Sequence, residues 1–541
     1  MHGLMMDLPL TVTAIMRHVE RAYPDEEIVS ITQDNPRHRY TYAQAFRRVR
    51  QLANALTAFG IRPSDRVGTL AWNDHRHFEL YYAVSGMGAI THTINPRLFP
   101  EQIAWIINHA CDRMLFVDPL VWPVIEKIRP QLTQVEAIVL LTDASHMPAA
   151  SNVYCYEKFI GEHQEDISWP DLDERTACSL CYTSGTTGHP KGVLYSHRSQ
   201  VLHSLFSSAV DALALSARDV VMPVVPMFHV NAWGLSYSAP MVGAKLVLPG
   251  PKMGDGETLQ NLIETEQVTF SAGVPTVWMA LLDFLRRSGK RIDSLQRVVI
   301  GGSACPWSVM EEFEREHNVH VHHAWGMTEM SPLGTVNQPI RGTDKLTSDD
   351  RKTLRMKQGR SFFGVEMKAV DEAGEELPRD GKSSGVLKVR GPTVCAQYFQ
   401  EDGPGPAHAE PGWFATGDVA HIDSDGYLQI TDRAKDVIKS GGEWISSIDL
   451  ENAAMGHPAV AEAAVIAVPH PKWSERPLLV LVLRAGHALT REEMLEFLRE
   501  RVAKLWLPDD VVFVSEIPHT ATGKILKSEL RKRFADFKLP E

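Results

Sequence analysis

Cysteine is scarce in this chain: six residues among 541, scattered between positions 111 and 395. That argues against a disulfide framework. Basic charge is also in deficit, with 55 Lys and Arg against 67 Asp and Glu and a formal net charge of -12. A general nucleic-acid binder would need the opposite balance to neutralise phosphates. An anionic small molecule is not excluded, because a local basic site can sit inside an acidic protein. No apolar run reaches the roughly 20 residues of a membrane span. The opening segment MHGLMMDLPLTVTAIMRHVE has no basic leader and is interrupted by Asp7, Pro9 and Arg17, so a secretory signal is not expected. The closing FADFKLPE carries no peroxisomal, lipidation or retention signal. Internal repeats and low-complexity tracts are missing. These absences leave a cytoplasmic protein with no integral membrane segment and no nucleic-acid partner as the expectation.

The remaining composition is that of a globular protein, 44% hydrophobic and 23% charged. The chain is long enough for more than one domain. Cys178 and Cys181 form a C-x-x-C, which invites a redox or zinc reading. No second such pair completes a metal site, and the run ACSLCYT reads as a buried strand with the two thiols on opposite faces.

Short β-rich runs alternate with helical stretches along most of the chain. RVGTLAW, MLFVD, AIVLLTD, VTFSAGV, RVVIGGS and VHVHHAW read as strands. HFELYYAVSGMG, VWPVIEKI, TVWMALLDFLRR and SVMEEFEREH read as the helices between them. This alternation predicts an α/β fold whose sheets are mostly parallel and flanked by helices. After the Gly/Pro-rich loop EDGPGPAHAEPG and the strand GYLQITDR the pattern restarts. Helices SIDLENAAMGHP, REEMLEFLRERVAKL and ILKSELRKRFADF alternate with strands VAEAAVIAVPH, LLVLVLR and VVFVSEI. A large N-terminal domain over residues 1–432 and a small α+β domain over 433–541 are therefore expected, joined near 432–435. The second has about 100 residues, a common domain size.

The most informative segment runs from Tyr182 to Gly192, YTSGTTGHPKG, between the strand ACSLCYT and the helical HRSQVLHSLFSSAV. Gly185 and Gly188 let backbone N–H groups turn inward without Cβ clashes, and such a nest holds an anion. Thr183, Ser184, Thr186 and Thr187 add hydroxyl donors, and Lys191 adds a mobile charge for phosphate oxygens. The spacing is not that of the G-x-x-x-x-G-K-[ST] loop, since His189 and Pro190 separate Gly188 from Lys191.

This loop resembles the signature of the adenylate-forming superfamily, which includes acyl-CoA synthetases, nonribosomal-peptide adenylation domains and beetle luciferases. Matching motifs follow in the family's order across nearly the whole chain. The similarity looks nearest to medium- and long-chain fatty acyl-CoA synthetases, a branch that includes methylmercaptopropionate-CoA ligases. The resemblance implies a two-step enzyme that makes an acyl-adenylate from ATP and a carboxylic acid, then passes the acyl group to coenzyme A. It implies Mg²⁺, a small domain that is mobile about a hinge, and relatives that are often homodimers.

The resemblance also implies roles for residues. Gly301, Gly302 and Ser303 match the segment lining the adenine pocket, where small residues let a flat ring lie on backbone. In His323-Ala324-Trp325-Gly326-Met327-Thr328-Glu329, Trp325 offers a face for adenine and Thr328 reaches the α-phosphate. Glu329, with Thr183, is a hard-oxygen ligand set suited to Mg²⁺. Asp418 in WFATGD matches the acceptor of the ribose hydroxyls. Arg433 matches a nucleotide contact, Lys435 the hinge, and Lys439 a position near AMP. Many family members carry Asp at the hinge; Lys also occurs. Gly441, Gly442 and Trp444 match the path of the coenzyme A thiol arm. Lys524, in TATGK, matches the adenylation lysine and joins Glu329 and Lys191 as the catalytic set. His229, Val230 and Trp233 match the acyl-pocket wall, Trp233 at a gate position, although a buried core helix reads equally well from PMFHVNAWG. The histidines 317, 320, 322 and 323 lack partner ligands at metal-binding spacing. A luciferase-like oxygenase, a loader of carrier-protein thiols and a non-enzymatic ATP-binding module stay open beside the ligase. Uncharged residues from Phe228 to Gly243 favour an acid with an apolar tail, fatty or thioether.

Overall fold

The computed structural model describes every residue except 2, 151–152, 184–189, 404, 441–442, 521–523 and 540–541, and only the backbone of Glu443 and Trp444. Three sheets organise the described residues. The first has seven strands in the order Val153–Cys155, Ala137–Leu140, Asp112–Val117, Arg66–Leu70, Ile90–Thr93, Ala177–Tyr182 and Gly192–Ser196. All neighbours are parallel except the last pair, where Tyr182 lies opposite Gly192. That antiparallel return brings the two ends of the glycine-rich loop together.

The second sheet is a path of thirteen strands. An antiparallel edge strand, His38–Thr41, precedes its parallel part, which runs Glu27–Ser30, Lys245–Leu248, Val220–Pro223, Phe270–Gly273, Arg297–Ile300 and His320–Gly326. The register shifts between Trp325 and Gly326, and from there the partners are antiparallel: Leu333–Val336, Gly359–Ser361, Tyr427–Arg433, Phe414–Ile422, Gly385–Arg390 and Glu366–Val370. The expectation of mostly parallel sheets thus holds up to Gly326. Leu333–Val336 is still buried throughout, but further out Gly385–Arg390 alternates buried and part-exposed residues, which suits an antiparallel sheet solvated on one face.

Helix His75–Gly86 is buried along its whole length and packs against strands of both sheets. Asp74 caps it by accepting from the His77 N–H at 2.9 Å. Its charged residues are paired: Arg76 with Asp34 at 2.6 Å and Glu79 with Arg48 at 2.7 Å. The C-x-x-C is packing. Cys178 and Cys181 are free and buried, and burial pushes their thiols up to about 12 and about 11.

The third sheet begins at Ile438–Ser440, which pairs with Glu443–Ile445 and Ser474–Leu483. Val460–His470 and Asp510–Phe513 flank Ser474–Leu483, the latter in parallel. Two expected helices are shorter than their periodicity suggests. The helix beginning at Arg491 ends at Arg499, and Val502, Trp506 and Leu507 reach the small core from beyond its end, Trp506 from a separate 3-10 turn over Lys504–Trp506. The last helix begins at Lys527 because Ile525 bridges His519 instead. This part docks on the second sheet through Asp432, whose Oδ2 accepts from the Ser447 N–H at 2.8 Å.

Candidate active site

A cleft of about 660 Å³ opens where these elements meet. Thr183 and Lys191 line it from the first sheet. Gly301, Gly302, Ala324, Trp325, Gly326, Met327, Thr328 and Glu329 line it from strand ends of the second. Arg433, Lys435, Thr520 and Lys524 close it from the C-terminal side. His229, Val230 and Trp233 form part of the remaining wall.

The loop ends are tied together: the Thr183 N–H donates to the Lys191 carbonyl at 2.9 Å, and the Lys191 N–H to Thr183 Oγ1 at 3.2 Å. Tyr195, on the outgoing strand, donates to the Thr328 carbonyl at 2.6 Å and so locks this loop to the segment holding Glu329. Glu329 is buried, which raises its pKa, while the Tyr398 hydroxyl donates to Oε1 at 2.7 Å and works in the opposite direction. Lys191 Nζ stands 2.9 Å from Glu401 and 4.4 Å from the Tyr398 ring centre.

Asp418 lies one shell behind the cleft surface. Its Oδ2 accepts from Trp325 Nε1 at 2.8 Å, and its Oδ1 pairs with Arg433 Nε at 2.8 Å. The carboxylate fixes both the indole plane and the guanidinium. Lys524 is tied to Thr520: its carbonyl accepts from the Thr520 N–H at 2.7 Å, and its own N–H donates to Thr520 Oγ1 at 3.1 Å. Its side chain reaches Gly302, where a Cβ would lie 3.8 Å from Lys524 Cε. Burial and nearby Arg433 lower its pKa to about 8, against the pull of Asp418 and Glu329.

The acyl-side wall contains an unexpected backbone. Val230, Asn231, Ala232 and Trp233 all have φ between 47° and 55°, and Gly234 follows at 80°. This is a left-handed turn built mainly from non-glycine residues, at a cost of roughly 1–2 kcal/mol each. Buried Asn231 holds it, accepting from Tyr81 at 3.2 Å and donating to Ser179 at 3.4 Å. The turn sets the Trp233 ring against Gly301, where a Cβ would stand 3.2 Å from Cη2 and 2.8 Å from the Ala324 carbonyl. Only glycine fits there. His229 beside it is held neutral, its pKa lowered to about 3 by burial and by Lys524. Strain of this kind collects at ligand sites.

Comparison with known proteins agrees with this geometry. Residues 16–399 match the family described as AMP-binding enzyme, and residues 449–524 its C-terminal domain. The chain belongs to the AMP-binding enzyme family. It is 52% identical to the 3-methylmercaptopropionyl-CoA ligase of Ruegeria lacuscaerulensis over 538 residues, 99% of each chain. It is 50% identical to the medium-chain-fatty-acid–CoA ligase of Ectopseudomonas oleovorans, over 100% of this chain and 98% of that one. The structure of the anthranilate CoA ligase AuaEII with anthranoyl-AMP superposes with a TM-score of 0.87 at 26% identity, over 97% of this chain and 98% of that one.

Within this AMP-binding fold most of the expected residues converge, and several do not reach the cleft. Ser303 is exposed outside it, and His323 is buried behind it, its Nδ1 2.9 Å from the Met356 carbonyl. Lys439 sits on the third sheet, its N–H donating to Glu475 at 2.8 Å. Ser184, Gly185, Thr186, Thr187, Gly188, Gly441 and Gly442 lie outside the described residues, as does the Trp444 side chain. The rings of His320 and His322 meet edge to face with centroids 4.5 Å apart, but His322 Nδ1 lies 3.1 Å from the Asn337 carbonyl and His320 pairs with Glu314 at 3.5 Å, and the described residues gather no metal-ligand set there. Sequence reading missed Tyr398, Glu401, Arg97 and the apolar lining of Val224, Val274 and Met253. Tyr398 and Glu401 border the Gly/Pro-rich loop and follow no motif. Arg97 had one visible signal, a lone cation in INPRL just after a buried strand.

Proposed function

We propose that this chain is an ATP-dependent, AMP-forming CoA ligase whose acid carries an uncharged, largely apolar tail, and that it works in the cytoplasm. The observation that carries the reading is the placement of Lys524. It comes from the far end of the chain, yet it stands at Gly302 among Glu329, Asp418 and Arg433, beside the wall of His229, Val230 and Trp233. Simple nucleotide binding needs no such lysine between a phosphate loop and an apolar pocket.

A carboxylate and ATP repel one another, so the first step needs positive charge and alignment. The Lys524 ammonium holds the carboxylate against the α-phosphate. The carboxylate oxygen attacks phosphorus, and pyrophosphate leaves along the Thr183–Lys191 loop. Trp325 seats the adenine, with Gly301 and Gly302 beside it, and Asp418 holds that indole from behind and takes the ribose hydroxyls when its carboxylate turns to the cleft. Glu329 and Thr183 both line the cleft, from the second and first sheets, and offer only oxygens, a set that fits Mg²⁺; the ion would offset phosphate charge there. In the second step the thiol of coenzyme A attacks the acyl carbonyl, AMP leaves, and the thiol proton is released. Access for the thiol comes from rotation of residues 433–541 about Asp432–Lys435, where the second sheet ends at Arg433 and the third begins at Ile438. That rotation would bring Gly441, Gly442, Trp444 and Lys439 to the cleft. A homodimer is the assembly that the resemblance implies.

The acid is a medium- or long-chain fatty acid. A short thioether acid is the second reading, favoured by the Ruegeria relative. Supplying acids from C2 to C18 and 3-methylmercaptopropionate, with AMP and thioester measured with and without coenzyme A, tests both. AMP release with no thioester would overturn the ligase reading. A preference for C2 or for charged acids would overturn the apolar-tail reading.

A further inference from the structure

Lys191 already has a partner before any phosphate arrives. Its ammonium is 2.9 Å from Glu401 Oε1 and 4.4 Å from the ring centre of Tyr398. The segment carrying these two residues is fixed on both sides. The Phe399 N–H donates to the Gly192 carbonyl at 2.8 Å, next to Lys191, and the Tyr398 hydroxyl donates to Glu329 at 2.7 Å. Glu401 is therefore delivered to the mouth of the phosphate loop by chain that the loop itself anchors. Both side chains of the pair are partly exposed, 46% for Lys191 and 34% for Glu401, so the pair can exchange with an incoming anion.

We propose that Glu401 is a positioning residue that competes with phosphate for Lys191, weakening the binding of ATP and pyrophosphate alike and hastening pyrophosphate departure. The proposal rests on reading Thr183–Lys191 as the phosphate loop. A phosphate oxygen that reaches Lys191 displaces the Glu401 carboxylate into solvent. When pyrophosphate starts to leave, the carboxylate recaptures the ammonium and opposes rebinding. The Tyr398 ring keeps the ammonium near the same spot in both states.

The test is Glu401→Gln in the full-length enzyme, with dissociation constants for Mg·ATP and Mg·pyrophosphate measured by calorimetry and single-turnover adenylation measured alongside. Both constants should fall by about two- to fivefold, the range of a half-exposed ion pair. The gain should shrink in 0.5 M salt, where screening is strong. The rate of the chemical step should stay the same, and the gain should vanish in a Lys191→Ala background. Glu401→Asp, which withdraws the carboxylate by one methylene, should give a smaller gain and guards against misfolding of the first variant. Unchanged or weaker binding in a normally melting Glu401→Gln protein would overturn the proposal, as would a gain that survives without Lys191. If Lys191→Ala alone leaves both ligands bound as before, the phosphate-loop reading itself fails.

Discussion

Trp325 Nε1 donates to Asp418 Oδ2 at 2.8 Å, joining residues 93 positions apart in the chain. The proposed adenine platform and the proposed ribose acceptor are thus one unit, with Arg433 on the other carboxylate oxygen. Trp325→Phe keeps an aromatic face and removes the donor. A hydrogen bond to a charged group contributes about 1.5–3 kcal/mol, so the KM for ATP should rise about tenfold or more while the KM for coenzyme A stays put. Steady-state kinetics with each substrate varied check this; equal changes in both would refute the shared unit.

Lys524 should separate the two half-reactions. Lys524→Ala should slow acyl-adenylate formation by about 10²–10³-fold and leave thioester formation from synthetic acyl-AMP near wild type. Burial and Arg433 lower its pKa from the usual 10.5 to about 8, so its ammonium is lost as pH rises through about 8. Adenylation should fall along that limb, and the second half-reaction should not. The folded protein releases this proton before the unfolded chain does, so the charge burdens the fold below pH 8 and the burden lifts between about 8 and 10.5. Lys524→Met should then melt no lower than wild type at pH 7.

Glu329→Gln tests the oxygen donor pair. The substitution keeps the Tyr398 contact sterically possible and removes the carboxylate charge. It should raise the Mg²⁺ concentration needed for half-maximal adenylation and change the melting temperature little. An unaltered Mg²⁺ titration would remove Glu329 from the proposed metal site.

Trp233→Ala removes the ring lying on Gly301. With the channel widened, longer acids should gain relative to short ones, since each further buried methylene contributes about 0.8 kcal/mol. kcat/KM across a chain-length series, with thermal melts, decides between two roles. Parallel losses for every acid with a lowered melting temperature would mean that the indole is core packing.

The cleft strands were legible because their signal is local: Arg297–Ile300 and His320–Gly326 follow from apolar runs. The two ends of the glycine-rich loop, Thr183 and Lys191, were legible as the flanks of a hydroxyl- and glycine-rich run between a buried strand and a helix. The turn at Val230–Trp233 was not legible, because four non-glycine residues adopt a left-handed backbone against their own preference. Buried Asn231, held by Ser179 and Tyr81 from distant elements, overrides that preference.

The amino-acid sequence by itself determined the α/β layering and the kinds of side chain and backbone, small, hydroxyl, cationic and aromatic, that line the cleft. These properties live in periodicities and spacings of a few residues. The tertiary structure alone decided the partners: Tyr398 with Glu329 across 69 positions, Glu401 with Lys191, and Lys524 against Gly302. Such pairs leave no local trace, because they form only when packing of the sheets brings remote strand ends and loops to one cleft.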